Sequence, residues 1–298
     1  MGNRFEITVV TDDALQAEPA IDAAVKEIQR IEKLLTTFNE ESQTADINRN
    51  AGIAPVAVDR EVFDLVNRSL RISKLTQGAF DISYGSMDKR FWNFDTTMTS
   101  LPDKEKAKHA VRLINYRNII LDHNRLTVFL KEKGMRIGFG GIGKGYAADK
   151  ARDLLKRMHI KSGVVNASGD LTTWGLQPDG KPWTIGIADP ETRAAFSYLE
   201  ISDAAIATSG SYEKFVEING KRYAHTIDPK TGFPVGGMKS VSVICPSAEL
   251  ADAMATPVMV MGITAGLDLI NQIKGMACII IDDEDKLYTS RNIAISSI

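Results

Sequence analysis

The sequence predicts an α+β fold, mainly antiparallel sheet with packed helices. Two observations predict it: strand-like apolar runs outnumber helical stretches, and many of them are joined by short turns, which favours this class over a doubly wound sheet. With 298 residues the chain is long enough to bury a substantial core as one large domain or two.

The first strand is read at residues 4–10, where Phe5-Glu6-Ile7-Thr8-Val9-Val10 opens the chain. A helix follows at 15–35, because Ile21, Ala24, Val25, Ile28 and Ile31 recur at helical spacing. A polar stretch, 36–50, leads to a second helix at 60–76 on Val62, Leu65, Val66, Leu70 and Leu75. An aromatic loop region spans 80–94, and an amphipathic segment covers 103–113. Residues 117–139 read as three short strands, turning at Asp122-His123-Asn124 and Lys133-Gly134, that feed the glycine-rich run 136–145. A helix at 146–158 is expected to show Asp149, Lys150, Arg152 and Asp153 on its polar face. Strands are read at 162–166, 183–187, 196–201, 204–208, 213–218 and 239–244, helices near 248–261 and 264–273, and a last hairpin turning at Asp282-Asp283-Glu284-Asp285.

Composition narrows the partners. Thirty-six basic against 38 acidic side chains give no electrostatic case for nucleic acid or an anionic membrane. No run approaches the roughly 20 apolar residues of a membrane span. No charged-then-apolar leader precedes the first strand, as in a chain trimmed of a targeting segment. Cys245 and Cys278 lie in apolar runs without CxxC spacing, so buried thiols are expected.

The run Arg136 to Gly145 carries the most chemistry. Gly138, Gly140 and Gly143 spell GxGxxG, and Gly138 to Lys144 spell GxxxxGK, yet Gly145 stands where a P-loop needs Ser or Thr for magnesium. Any metal must then be held elsewhere. Asp252 and Thr256 are four apart, which on a helix means about 40° of offset and about 6 Å of rise. Two oxygens on one face suit a hard cation such as magnesium, although a capping Asp and a packed Thr would show the same spacing. Pro257 removes an amide donor there, as an opening for an ion or as a tolerated irregularity.

His225-Thr-Ile-Asp-Pro-Lys-Thr-Gly232 puts a histidine at the mouth of a turn-rich loop, as a proton acceptor or as a structural loop residue. Thr208-Ser209-Gly210 offers hydroxyls and amides to a phosphate, but GxSxG is absent. Asn166-Ala-Ser-Gly-Asp170 reads as a strand exit with a tight turn. Gly78-Ala79-Phe80-Asp81 with Tyr84, Phe91, Trp92 and Phe94 gathers aromatic rings around a carboxylate, suited to a flat ligand or to a core. His109, His123 and His159 are given no role.

Taken in order, these segments resemble the ApbE family of flavin transferases, which move FMN from FAD onto a Ser or Thr of another protein. The resemblance covers nearly the whole chain: Met1-Gly2-Asn3, Ser42 to Asn48, Gly78 to Asp81, the glycine run, Asn166 to Asp170, Pro182-Trp183, Thr208 to Gly210, His225 to Gly232 and Ala251-Asp252-Ala253. It implies an ApbE-like, T-fold-like architecture over residues 1–298, one domain open to division into two subdomains meeting at the FAD site. It further implies magnesium on Asp252, Thr256 and the Gly141 carbonyl, with FAD contacts at Met1, Phe38, Ala79, Phe80, Asp81, Gly138, Lys144 and Ile227. His225 becomes the base or the residue that orients the acceptor hydroxyl. Gly138-Phe139 departs from the family's usual Asp-Leu, so a carboxylate expected at the flavin nucleotide is missing.

The partners so implied are FAD and an acceptor protein, such as an FMN-binding domain of a membrane redox complex, at the cell envelope. The same residues would serve a magnesium-dependent FAD pyrophosphatase or a non-catalytic FAD-binding protein. A Rossmann oxidoreductase built on the GxGxxG needs an acidic residue about 20 positions on, and the next strand ends at Asn166 instead.

Overall fold

The computed structural model describes residues 4–88, 100–188, 195–210, 215–218, 221–293 and 296–297. Within them the fold is α+β. The strands are β1 (Phe5–Val10), β2 (Val56–Ala57), β3 (Ile119–Asp122), β4 (Thr127–Leu130), β5 (Ser162–Ala167), β6 (Asp170–Trp174), β7 (Trp183–Ala188) and β8 (Ala195–Ile201). They continue as β9 (Ala205–Gly210), β10 (Phe215–Ile218), β11 (Lys221–Ala224), β12 (Met238–Cys245), β13 (Ala277–Asp282), β14 (Leu287–Thr289) and β15 (Ser296–Ser297). The helices are α1 (Ala14–Leu35), α2 (Gln43–Arg49), α3 (Arg60–Leu75), α4 (Lys104–Ala110), α5 (Gly143–Arg157), α6 (Ala248–Met261) and α7 (Ile263–Asn271).

The chain divides into two compact units. Unit 1 comprises Met1–Ile31, Ile142–Tyr212 and Gly237–Ile298; unit 2 comprises Glu32–Gly141 and Glu213–Gly236.

Unit 1 is built on a seven-stranded sheet in the order β1-β5-β6-β9-β12-β13-β14, and its described pairings are all antiparallel. That rules out the parallel βαβ unit a Rossmann reading of the glycine run requires. Ala20, Ala24 and Ile28 of α1 and Ala148, Ala151 and Leu155 of α5 pack with Val165, Ala167 and Trp174. Small alanines on both helices permit close approach, and the buried Trp174 satisfies its indole by donating to the Ile160 carbonyl at 2.9 Å. A smaller sheet, β15-β8-β7, completes the unit.

Unit 2 carries the β2-β4-β3 sheet, the β10-β11 hairpin, α2, α3 and α4. The segment 36–50 is more than a polar stretch, because Ser42 caps α2 by accepting the Ala45 amide at 3.0 Å. The strand expected near 135–139 does not form. Asn48 takes over its pairing: Ile137 N–H donates to Asn48 Oδ1 at 2.7 Å, and Asn48 Nδ2 donates to the Ile137 carbonyl at 3.0 Å. A buried side-chain amide thus mimics a neighbouring strand.

Two further readings need correction. Helix α5 starts at Gly143, sooner than residue 146, and Asp149 on it is buried instead of solvated. The turn at Asn166 to Asp170 is present, with Ser168 and Gly169 at positive φ, but it leads directly into β6, which the strand pattern missed. Phe91, Trp92 and Phe94 lie outside the described residues.

Candidate active site

In unit 1 the site begins with the contact between α5 and α6. A Cβ on Gly145 would lie 2.0 Å from the Ala248 carbonyl oxygen, so any side chain there would push the helices apart. This is the physical reason the P-loop pattern fails at Gly145. One turn later, Asp149 caps α6: its carboxylate accepts from Ser247 Oγ at 2.8 Å and from the Ala248 and Glu249 amides at 3.0 Å. Arg152 pairs with the same carboxylate at 2.9 Å. Negative charge at a helix N-terminus is favourable, and here it sets where α6 begins.

Helix α6 runs through Pro257 without interruption and carries Asp252 and Thr256 on one side. Asp252 is buried, and its Oδ2 accepts the Gly145 amide at 3.0 Å. Burial, then the charge of Asp170, pushes its carboxyl well above the ordinary carboxylate range, while Lys144 and the Gly145 and Lys144 amides pull the other way. Lys144 Nζ stands 2.6 Å from Asp170 Oδ2. Thr256 Oγ1 lies 2.9 Å from Ser209 Oγ. Lys144, Asp252 and Thr256, expected from the sequence, therefore share one centre, and Asp170 and Ser209 join them.

In unit 2, Ala79 and Phe80 are buried, so the Phe80 ring packs in the interior. Asp81 is also buried: Oδ1 accepts Ser83 N at 2.8 Å and Ser83 Oγ at 2.6 Å, and Oδ2 accepts the Tyr116 amide at 2.7 Å. Burial raises its pKa, and these bonds oppose the rise. Gly138 donates to the Ile82 carbonyl at 2.9 Å, beside Asp81. A Cβ on Gly138 would meet only Thr37 Cγ2 at 3.8 Å, so space alone does not demand glycine there. Gly141 lies near Phe80, whose Cε2 would stand 3.7 Å from a Cβ built on it.

The His225 loop is fastened to α4 of the same unit. Gly232 has φ 74°, and a Cβ on it would come 2.1 Å from the Ala107 carbonyl oxygen. Asp228 organises the turn by accepting the Lys230 amide at 2.9 Å and the Thr231 hydroxyl at 3.0 Å. Ile227 is buried with Val111 and Met87, and Tyr84 packs against them. Burial pushes the Tyr84 hydroxyl up to about 12. His225 is half-buried at the loop's start, whereas Phe38 is 94% exposed. Met1 lies outside the described residues.

The donor set of unit 1 fits a hard cation. Two buried carboxylates face a single described ammonium, with hydroxyls beside them. Among the described residues no cluster of three or more His, Cys, Asp or Glu forms. Sequence reasoning missed Asp149 and Asp170. Asp149 looked like one of four polar helix positions, and Asp170 looked like the end of a turn.

Fold and centre together define a class: antiparallel α+β proteins in which a glycine-rich turn, distinct from a P-loop, opens the helix carrying the site's lysine. The model of the ApbE family matches residues 1–280, and the chain belongs to that family. A FAD:protein FMN transferase of Klebsiella pneumoniae (strain 342) is 33% identical over 268 residues, 89% of this chain and 80% of the relative. One of the same name from Treponema pallidum (strain Nichols) is 31% identical over 94% of this chain and 82% of its own. The crystal structure of the ApbE protein of Thermotoga maritima MSB8 superposes with a TM-score of 0.88 at 29% identity, covering 97% of this chain and 94% of that one. The apo flavinyl transferase ApbE of Pseudomonas stutzeri gives 0.84 at 27% identity, covering 98% and 92%.

Proposed function

We propose that the protein transfers FMN from FAD to a Ser or Thr hydroxyl of an acceptor protein, releasing AMP, with magnesium as the required metal. The observation that carries this reading is the grouping of buried Asp170 and Asp252 with half-buried Lys144 and Thr256 in a chain of the ApbE family. The relatives named FAD:protein FMN transferase support it.

Asp252, Thr256 and the Gly141 carbonyl would hold the magnesium, which when bound neutralises charge on the pyrophosphate. Lys144 supplies a second positive charge to the same phosphates. His225 takes the proton of the acceptor hydroxyl or orients that hydroxyl for attack. The new O–P bond forms at the FMN phosphorus as the bond to the AMP oxygen breaks, and the electron pair leaves with AMP. Ala79, Phe80, Asp81, Ile227, Phe38 and Met1 contact FAD in this reading. Gly138 contributes backbone alone, without the carboxylate its family usually has.

Incubation with FAD, magnesium and a flavin-acceptor domain tests the proposal. Covalent in-gel flavin fluorescence on the acceptor is the expected result, and free FMN without labelling would replace transfer by FAD pyrophosphatase activity. An acceptor in a membrane redox complex would put the reaction at the cell envelope, which fractionation of the native protein checks.

A further inference from the structure

Lys144 and Thr256 each touch a neighbour that the family resemblance leaves without a role. Asp170 opens β6 with its side chain only 3% exposed, and its Oδ1 accepts the Thr208 amide at 3.3 Å. Its Oδ2 approaches Lys144 Nζ at 2.6 Å, outside the direction of a hydrogen bond. The ammonium is thus set directly against a buried negative charge.

The next residue along β9 handles the second group. Ser209 Oγ lies 2.9 Å from Thr256 Oγ1. A hydroxyl that ligates a cation must keep a lone pair for the metal and send its proton to another acceptor. Ser209 stands where that acceptor is needed. The strand end bearing both contacts is itself secured, since Thr208 pairs with Ser242 across β12 and their hydroxyls are 2.8 Å apart.

We propose that Asp170 and Ser209 are positioning residues for FMN transfer: Asp170 aims the Lys144 ammonium, and Ser209 turns the Thr256 hydroxyl toward the cation. This rests on the proposed function. The competing account is that both contacts merely stiffen β9.

The test is a set of variants of the full chain, Asp170→Asn, Lys144→Ala and their double, with Ser209→Ala and Ser209→Thr. Asp170→Asn keeps an oxygen for the Thr208 amide and removes the charge. It is expected to lower kcat about tenfold with KM for FAD changed less than twofold, and to add nothing in the Lys144→Ala background. Calorimetric titration of the protein with Mg2+ alone should show Ser209→Ala binding about tenfold more weakly and Ser209→Thr restored. Should Asp170→Asn not fold, Asp170→Glu takes its place, moving the charge by one methylene, with the same expectation.

Equal kcat losses from the Asp170 change with and without Lys144 would overturn the proposal, as would wild-type Mg2+ affinity in Ser209→Ala. A wild-type chain that binds Mg2+ and FAD yet labels no acceptor would instead overturn the functional reading, and the calorimetric limb would still judge Ser209.

Discussion

The lysine–carboxylate centre of unit 1 and the His225 loop of unit 2 are both fastened by a glycine pressed against a helix carbonyl. They differ in what the glycine secures. Gly145 holds two helices whose approach buries Asp252, Asp149 and their partners, so local geometry and global stability are coupled there. Gly232 holds a turn whose acidic residue, Asp228, is already satisfied within the loop. Buried charges tolerate little displacement, because a carboxylate moved off its donors keeps its desolvation cost and loses its compensation.

The largest expected effect is Gly145→Ala. A methyl 2.0 Å from the Ala248 oxygen should cost about 3 kcal/mol or more, lowering Tm in thermal unfolding and abolishing Mg2+ binding. Gly232→Ala sharpens the contrast: its Cβ would meet the Ala107 oxygen at 2.1 Å and its positive φ adds about 1–2 kcal/mol, so Tm should fall as well, but Mg2+ binding should survive while transfer falls. If both variants lose Mg2+ affinity equally, the two fastenings are not independent.

His225→Ala comes next and should reduce transfer about 10²-fold with FAD affinity within a factor of two, as measured by flavin fluorescence quenching. Gly138→Asp should fold normally, because its Cβ has room, and should tighten FAD binding severalfold if the family's carboxylate contacts the nucleotide. Unchanged affinity would make the glycine a neutral replacement.

The smallest effect at neutral pH concerns the buried cysteines. Burial pushes Cys278 up to about 12 and Cys245 up to about 11, so both thiols hold their protons more tightly folded than unfolded. Their contribution is therefore complete below the unfolded thiol range and declines as pH rises through 11 to 12. Native protein at pH 8 should react with a thiol reagent only as fast as it unfolds.

The elements with a strong apolar period were legible. Helices α1, α3 and α6 and strands β1, β5, β9 and β12 lie close to where spacing predicted them. Two of the missed features share a cause: each depends on a polar side chain satisfying backbone groups far away in sequence. Asn48 replaces a strand partner for Ile137, 89 positions away, and Asp149 caps a helix 99 positions on. Local periodicity carries no record of such pairs. The Asp252 and Thr256 oxygens were legible because helical spacing alone puts them on one side, whereas Asp170 reaches Lys144 only through the sheet.

The crowding at Gly145 also limits how this loop could change. A single Ser or Thr at that position would complete the P-loop pattern on paper, yet its Cβ would strike Ala248 before its hydroxyl could serve a metal. The two ways of holding a phosphate-bound cation are therefore separated by a helix that would have to move, and a search by single substitutions from this chain should not find the other.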